Sequence, residues 1–306
     1  MTGQKIFNID PSWIGGTELM ALSIEKKILP LAPNLSEWNW ILAPGQINLR
    51  EDGKNIVWVH LGEFEGDLSW LQNPLVAHII FVSYYQYQRF TEMYPEIDHS
   101  KCHVIRNAID PITFSIPPKD KIKLVFHSEP YRGLEVLLDA LKLIDDPEIE
   151  LHILGDLDTK TIDWKIEIQD RIKECILLDN RVICHGRVSN NEVREQLQNS
   201  HIFAYPSTWR ETSCIALIEA MAAGLYCITN SFTVLPETGI GLIKVYPFNK
   251  DLDKQALTLS NEIIKAVNTI RSDKFYSFKQ VQAVNDYYSW RVVSKEWLDF
   301  AKEIGV

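Results

Sequence analysis

Short apolar runs rich in β-branched and aromatic residues alternate with longer stretches whose apolar positions recur every three or four residues, from one end of the chain to the other. Runs of about five residues suit strands and are too short for stable helices, whereas a 3.6-residue period buries one face of a helix. In the first half the pattern predicts strands over 5–9, 38–42, 55–61, 78–82 and 103–105, with helices over 17–29 and 85–94. In the second half it predicts strands over 122–127, 150–154, 181–184, 201–205, 226–229 and 243–246. Helices are expected over 134–144, 163–177, 190–199, 214–223, 254–269 and 290–304. Strands that alternate with helices pair in parallel, because a parallel connection needs a crossover, so each half reads as a doubly wound α/β sheet.

Between the halves, 112–121 contains Pro117-Pro118, which can neither join a sheet ladder nor continue a helix, and it reads as a linker. The expected domains are 1–116 and 117–275, with 276–306 as a C-terminal helical segment. At 306 residues and 46% hydrophobic, the chain is long enough for two modest cores. A net charge of -10 argues against a nucleic-acid partner, which needs a basic face, and supplies no electrostatic pull toward anionic lipid. Cys102, Cys175, Cys184, Cys214 and Cys227 form no CxxC pair and no metal-ligand spacing, so reduced thiols in a cytoplasm are expected. No apolar run approaches the ~18 residues of a membrane span, which leaves a cytoplasmic protein whose membrane association, if any, is peripheral.

The chemistry concentrates in Tyr205-Pro206-Ser207-Thr208-Trp209-Arg210-Glu211-Thr212-Ser213-Cys214 and the helix after it, where Glu211 and Glu219 stand eight positions apart across a loop-to-helix junction. From Cys214 to Ala223 every residue but Glu219 is apolar. A helix of that composition is expected to be buried nearly all round, so an ionised carboxylate in it needs a hydrogen-bonding partner such as a hydroxyl-rich ligand. The stretch resembles the E-x7-E motif of retaining, nucleotide-sugar-dependent glycosyltransferases of family 4, down to Glu219-Ala220-Met221-Ala222-Ala223-Gly224. The resemblance implies the GT-B fold, two Rossmann-like doubly wound domains facing a cleft, with the sugar nucleotide mainly on the C-terminal domain and the acceptor mainly on the N-terminal one. Tyr288-Ser289-Trp290-Arg291 through Trp297 looks like the family's C-terminal helix, which implies a return to the first domain.

Other motifs support the resemblance. Gly15-Gly16-Thr17-Glu18 opens a predicted helix, where glycines let backbone approach a ligand and the helix N-terminus favours an anion; the family keeps its glycine loop at this place. His60 ends a strongly β-forming run, and strand ends in open α/β sheets face ligands, so the resemblance implies a hydrogen-bonding role near the donor sugar rather than a base. Arg132-Gly133 is similar to the family's lysine-glycine pair, a cation at a helix start that suits a departing diphosphate. The amides of Ser213 and Cys214 would orient the donor, and the turn at Gly186-Arg187, ahead of a Ser189/Glu192 capping box, would lie against the base. Three departures accompany these matches. Ser128 stands where an arginine is expected, and Arg106 and Ala108 flank the turn residue Asn107 in place of proline and glycine. Whether Arg187 or Arg210 replaces the cation absent at Ser128 is left open.

The implied activity is transfer of a sugar from a nucleoside diphosphate sugar to a hydroxyl of a carbohydrate, lipid-linked or other acceptor, with retention of anomeric configuration. Glu211 would hold hydroxyls of the donor sugar, Glu219 the ribose diol, and Arg132 with Gly15 and Gly16 the diphosphate, which puts Glu211 and Arg132 at opposite ends of the breaking bond. Cations and dipoles would meet the leaving-group charge, so neither a metal nor another cofactor is expected. Asp156-Leu157-Asp158 spells the metal-binding triplet of the other large glycosyltransferase fold, but it falls inside the repeating strand-helix pattern, and such triplets arise readily by chance. Two other classes stay open: a non-catalytic sugar-nucleotide-binding partner subunit, motivated by Ser128 and the short first domain, and another GT-B-like enzyme such as a sugar-nucleotide epimerase. Trp38, Trp40, Tyr84, Tyr85 and Tyr87 suit the core, sugar platforms or a lipid-facing surface, with the core the first expectation.

Overall fold

The computed structural model describes residues 6–7, 9, 15–43, 47–63, 68–157, 164–273 and 277–306. They fall into two units, Met1–Asp110 with Asp286–Val306, and Pro111–Asn285. In the first unit, α1 (Gly16–Lys27) precedes β1 (Asn39–Ala43), β2 (Asn55–Val59), β3 (Val76–Phe81), α2 (Tyr84–Met93) and β4 (Cys102–Val104). The four strands pair in parallel in chain order. The strand expected over 5–9 lies partly outside the described residues; the amides of Ile6 and Phe7 both donate to Glu25 Oε1, at 2.7 and 2.8 Å.

Every residue of β2 is buried, as a strand covered on both faces requires. Val57 and Val59 face a cluster with Trp70, Phe81 and Phe90. Trp58 turns the other way, edge-on to Trp297 of the C-terminal helix Trp290–Glu303, with ring centroids 5.1 Å apart. Trp40 joins that group at 5.7 Å from Trp297 and is buried, Trp38 lies against His78, and Tyr84 is exposed, so the aromatics expected in the core divide between core and surface. The C-terminal helix is tied down by a main-chain exchange, Ile109 N–H to Tyr288 O at 2.9 Å and Trp290 N–H to Ile109 O at 3.1 Å. Arg106 adds an ion pair with Glu296 and stacks 3.7 Å from the ring centroid of Tyr287, which gives the arginine found in place of proline a packing role.

The second unit runs β5 (Ile122–Phe126), α3 (Leu134–Lys142), β6 (Ile149–Leu154), α4 (Trp164–Leu178), β7 (Val182–Gly186), α5 (Asn190–Gln198), β8 (Ile202–Tyr205), α6 (Ile215–Ala222), β9 (Tyr226–Asn230), α7 (Leu235–Thr238), β10 (Lys244–Tyr246), α8 (Leu252–Arg271) and the part of α9 (Phe278–Tyr288) up to Asn285. Its six strands are parallel in the order β10-β9-β8-β5-β6-β7. From β5 the chain first builds outward through β6 and β7, then returns to β8 on the other side of β5. The C-terminal ends of β5 and β8 therefore flank a topological switch point, the place where open α/β sheets hold ligands.

The unit boundaries differ from the expected 116/117 and 275/276. Residues 111–118 carry no regular structure, as paired prolines require, yet they pack within the second unit: Ser115 Oγ donates to Gln198 O at 2.5 Å and Gln198 Nε2 to Thr113 O at 2.6 Å. Phe114 covers Gly224, where φ is +87° and a Cβ would meet the ring at 2.7 Å. Gln280 of α9 donates to the carbonyls of Met221 and Leu225 at 3.1 and 3.0 Å, which keeps the start of that helix in the second unit. Breaker residues mark where regular structure stops, and packing continues past them. The segment expected to be helical over 276–306 divides into two helices, and α9 is the one not expected as a separate helix, although Phe278, Val281, Val284 and Tyr288 stand at helical spacing.

One glycine fixes the approach of the two loops at the switch point. Gly133 has φ +116°, and a Cβ there would lie 2.3 Å from the carbonyl oxygen of Pro206. Replacing it adds left-handed strain to a backbone clash, so Gly133→Ala is expected to lower stability by roughly 2–5 kcal/mol, read from denaturant midpoints at unchanged slope. An unchanged midpoint would show that the two loops can separate without cost.

Burial also holds three histidines neutral. Desolvation pushes His60 down from 6.5 to about 3, and His78 and His201 to about 4, the last two helped by His103 and Lys101 and by Lys123 and Lys119 respectively. The unfolded chain binds these protons first, so the stability they contribute is complete above 6.5 and is lost as the pH falls through 4 toward 3. Melting temperatures should drop from about pH 7 to about pH 5, with a shallower slope in His60→Gln; a flat profile in the wild type would contradict the burial of these rings.

Candidate functional site

The last residue of β8 is Tyr205, and the last residue of β5 is followed by His127, Ser128, Glu129 and a 3₁₀ turn Pro130–Arg132. From these ends a chain of polar contacts crosses the switch point. Tyr205 Oη donates to Glu211 Oε1 at 2.6 Å, Arg132 Nη1 donates to both oxygens of the same carboxylate at 3.1 and 3.3 Å, and Ser128 Oγ lies 3.2 Å from Tyr205 Oη. The side chain of Glu211 is 7% exposed and that of Arg132 28%. Burial works against the charge on Arg132, and Glu211 with Tyr205 and Tyr131 more than restores it, so the guanidinium is held above its ordinary range. Burial and the neighbouring Glu211 carboxylate raise Tyr205 well above the ordinary phenol, which keeps it a donor. Arg132 Nε is sealed from solvent and has no acceptor among the described residues.

The loop that carries Glu211 is built to hold still. Ser207 Oγ accepts from Trp209 N–H at 3.2 Å and donates to Trp209 O at 3.1 Å, while Asn230 at the end of β9 donates to Ser207 O at 2.8 Å and to Gln255 Oε1 of α8 at 2.7 Å. Tyr131 meets Trp209 edge-on at 5.4 Å, and the Arg132 guanidinium lies 5.5 Å from the Trp209 ring centroid. Glu211 and Arg132, expected at opposite ends of a bond, are therefore direct partners. Sequence spacing separates them by 79 positions, and only the parallel pairing of β5 with β8 brings them together.

The helix α6 corrects a second expectation. Leu217, Ile218, Ala220, Met221 and Ala222 are buried, but Ile215, Ala216 and Glu219 share a more open strip, so the helix is not covered all round. Glu219 is 18% exposed and Glu211 is the deeper carboxylate. Composition counts apolar residues without saying which of them stand at the open end of the sheet. Glu219 Oε2 lies 3.7 Å from His127 Nε2. Ser213 and Cys214 precede the first turn of α6, where Cys214 is the N-cap without a side-chain bond, and burial raises its thiol well above the ordinary range.

At the neighbouring strand ends, Gly155 N–H donates to Gly186 O at 2.9 Å; Gly186 has φ +68° and is exposed, as is Arg187. The capping box forms, with Ser189 N–H donating to Glu192 Oε2 at 2.8 Å. Asp156 is exposed, and Asp158 lies outside the described residues. Among the described residues no three His, Cys, Asp or Glu side chains converge as a metal site requires, and no helix is long and apolar enough to cross a membrane.

The remaining expected residues belong to the first unit. Gly15 is the N-cap of α1, and its N–H donates to Glu18 Oε2 at 2.9 Å, so the helix's own glutamate already faces an amide expected to meet phosphate. His60 follows β2 with its ring 4.6 Å from that of Trp58, and its depressed pKa leaves a neutral imidazole. Two residues that sequence reading assigned no role, Tyr205 and His127, stand at the switch point. The available signal was position: each is a polar-tipped ring at the C-terminal end of a predicted buried strand.

Residues 111–240 match the family model described as "Glycosyl transferases group 1". The gpi3 subunit of phosphatidylinositol N-acetylglucosaminyltransferase from Schizosaccharomyces pombe is 27% identical over 224 residues, which cover 70% of this chain and 46% of that one. The chain thus spans under half the length of that curated relative. A glycosyltransferase from Rickettsia africae has a similar fold, with TM-score 0.70, 18% identity and coverage of 97% of this chain and 84% of the other. Anabaena Alr3699/HepE, in complex with UDP and glucose, aligns with TM-score 0.69 at 15% identity over 90% and 83%. The match to the group 1 glycosyltransferases thus covers residues 111–240, and the fold is that of the GT-B proteins, two Rossmann-like sheets.

Proposed function

We propose that the chain transfers a sugar from a nucleoside diphosphate sugar to an acceptor hydroxyl with retention of anomeric configuration. The observation that carries the reading is the buried Glu211 carboxylate at the switch point, held between Arg132 and Tyr205. As the glycosidic bond to phosphate stretches, positive charge grows on the sugar and negative charge on the diphosphate. Arg132, at the turn that leads into α3, meets the diphosphate; Glu211 meets hydroxyls of the sugar; Glu219 takes the ribose diol from the open strip of α6. The pairing of Arg132 with Glu211 adds a step to this scheme. Diphosphate competes with the carboxylate for the guanidinium, and the displaced carboxylate, still held by Tyr205, turns to the sugar. The unsatisfied Arg132 Nε is a further donor for phosphate.

A uridine donor is proposed from the likeness to the Anabaena protein, which is in complex with UDP and glucose. A lipid acceptor of the phosphatidylinositol kind, with peripheral contact to a membrane, is proposed from the likeness to the S. pombe subunit. The charge compensation sought from Arg132 and from helix N-termini makes the proposed transfer independent of divalent metal. A second reading, a non-catalytic sugar-nucleotide-binding subunit, is favoured by one observation: Ser128, where a second phosphate cation is expected, has its hydroxyl beside Tyr205.

Single-turnover transfer and nucleoside diphosphate calorimetry separate the two readings. Arg132→Ala should lower transfer by roughly a hundredfold or more and weaken UDP, whereas Glu211→Ala should lower transfer as strongly and leave UDP binding equal or tighter, because the guanidinium is released. Transfer at the wild-type rate by Glu211→Ala would refute the transferase scheme; UDP binding without any transfer in the wild type would establish the second reading.

Chelator should leave the transfer rate unchanged. Abolition by chelator and rescue by manganese, lost in Asp156→Asn, would place the charge compensation on a metal instead.

A further inference from the structure

His127, the residue after β5, is a titratable ring at the switch point that the scheme above leaves unused. Its side chain is 5% exposed and packs against Phe203 with ring centroids 5.3 Å apart. Neither ring nitrogen has a hydrogen-bond partner among the described residues, and both are sealed from solvent. Buried polar atoms left unpaired are costly, and an isolated one in a folded protein calls for an explanation. A neighbouring carboxylate supplies it: Glu219 Oε2 stands 3.7 Å from His127 Nε2, within reach of an ion pair and one short movement from a hydrogen bond.

We propose that His127 is a positioning residue for Glu219, donating from Nε2 to the inner carboxylate oxygen so that the outer oxygen is aimed at a vicinal diol of the bound nucleotide. The inference rests on the reading of Glu219 as the diol-holding carboxylate. A closure of roughly 0.8 Å brings the pair to ordinary charge-assisted distance. Phe203 fixes the ring on one side, so the contact orients the carboxylate without a matching loss of freedom in the histidine. The other carboxylate oxygen then accepts from the diol, whose two hydroxyls are what distinguish a ribonucleotide from its 2′-deoxy counterpart. Direct contact of His127 with ligand is not required, and its sealed nitrogens argue that it acts through Glu219.

The test is calorimetry with UDP and 2′-deoxy-UDP as probes, on the full chain and on His127→Phe, His127→Gln, Glu219→Gln and the double variant His127→Phe with Glu219→Gln. Melting temperature without nucleotide identifies any variant that fails to fold; should Phe fail, His127→Leu carries the same comparison. The expected result is a preference of the wild type for UDP, a loss of about tenfold toward UDP in His127→Phe, and a much smaller loss toward 2′-deoxy-UDP. Gln, which offers an N–H at similar reach, should restore most of the preference, and the double variant should be no weaker than Glu219→Gln alone. An equal loss toward both nucleotides, a loss that adds fully to that of Glu219→Gln, or no loss in a folded His127→Phe would each overturn the assignment. In the last case, weakened UDP binding by Glu219→Gln would leave the diol reading standing without His127; UDP binding unchanged in Glu219→Gln would overturn the diol reading and the assignment with it.

Discussion

A carboxylate that is 7% exposed in the loop after a buried strand is tolerable only when its charge is met at short range, and at Glu211 two donors meet it, the Arg132 guanidinium and the Tyr205 phenol. Removing one partner of such a pair leaves a buried uncompensated charge, at a typical cost of about 3–5 kcal/mol. The neighbouring features follow from that constraint. Arg132 reaches the carboxylate because the 3₁₀ turn Pro130–Arg132 ends in Gly133, whose positive φ and missing Cβ let the turn lie against Pro206. Tyr205 reaches it because β8 ends one residue before the loop, and the loop keeps its shape through Ser207, Asn230 and Gln255.

The pairing settles the arginine as well. A guanidinium and a carboxylate in a partly buried place would each be costly alone, and paired with each other they hold the two loops in place. Ser128 fits this economy of charge: a second arginine beside Arg132 would add repulsion next to a single carboxylate, whereas a hydroxyl beside Tyr205 extends the hydrogen-bond chain.

The first unit follows a different logic. Its sheet is held by large rings, Trp40, Trp58 and Trp297 on one face and Trp70, Phe81 and Phe90 on the other, and its expected ligand groups, Gly15 and His60, are engaged within the unit by Glu18 and Trp58. Arg106, an apparent departure from a family pattern, becomes legible as the partner of Glu296 and Tyr287, which fasten the returning C-terminal residues.

The order and type of nearly every strand and helix could be read from the chain, because hydrophobic period is a local property and parallel strands need crossovers. The capping box at Ser189 and Glu192 was legible for the same reason, its two residues being three positions apart. The candidate site could be written down as a list of residues, since Arg132, Glu211 and Glu219 stand in recognisable local motifs. Only the tertiary structure decided how its members meet. The 79 positions between Arg132 and Glu211 are closed by β5 pairing with β8, Glu219 is the shallower of the two carboxylates because it stands on the less buried strip of α6, and the hydrogen-bond partners of Tyr205 lie in two loops and the neighbours of His127 on β8 and α6. The limits of the two units were likewise set by packing, with Phe114 over Gly224 and Gln280 on the carbonyls after α6, contacts between residues far apart in sequence that no local pattern encodes.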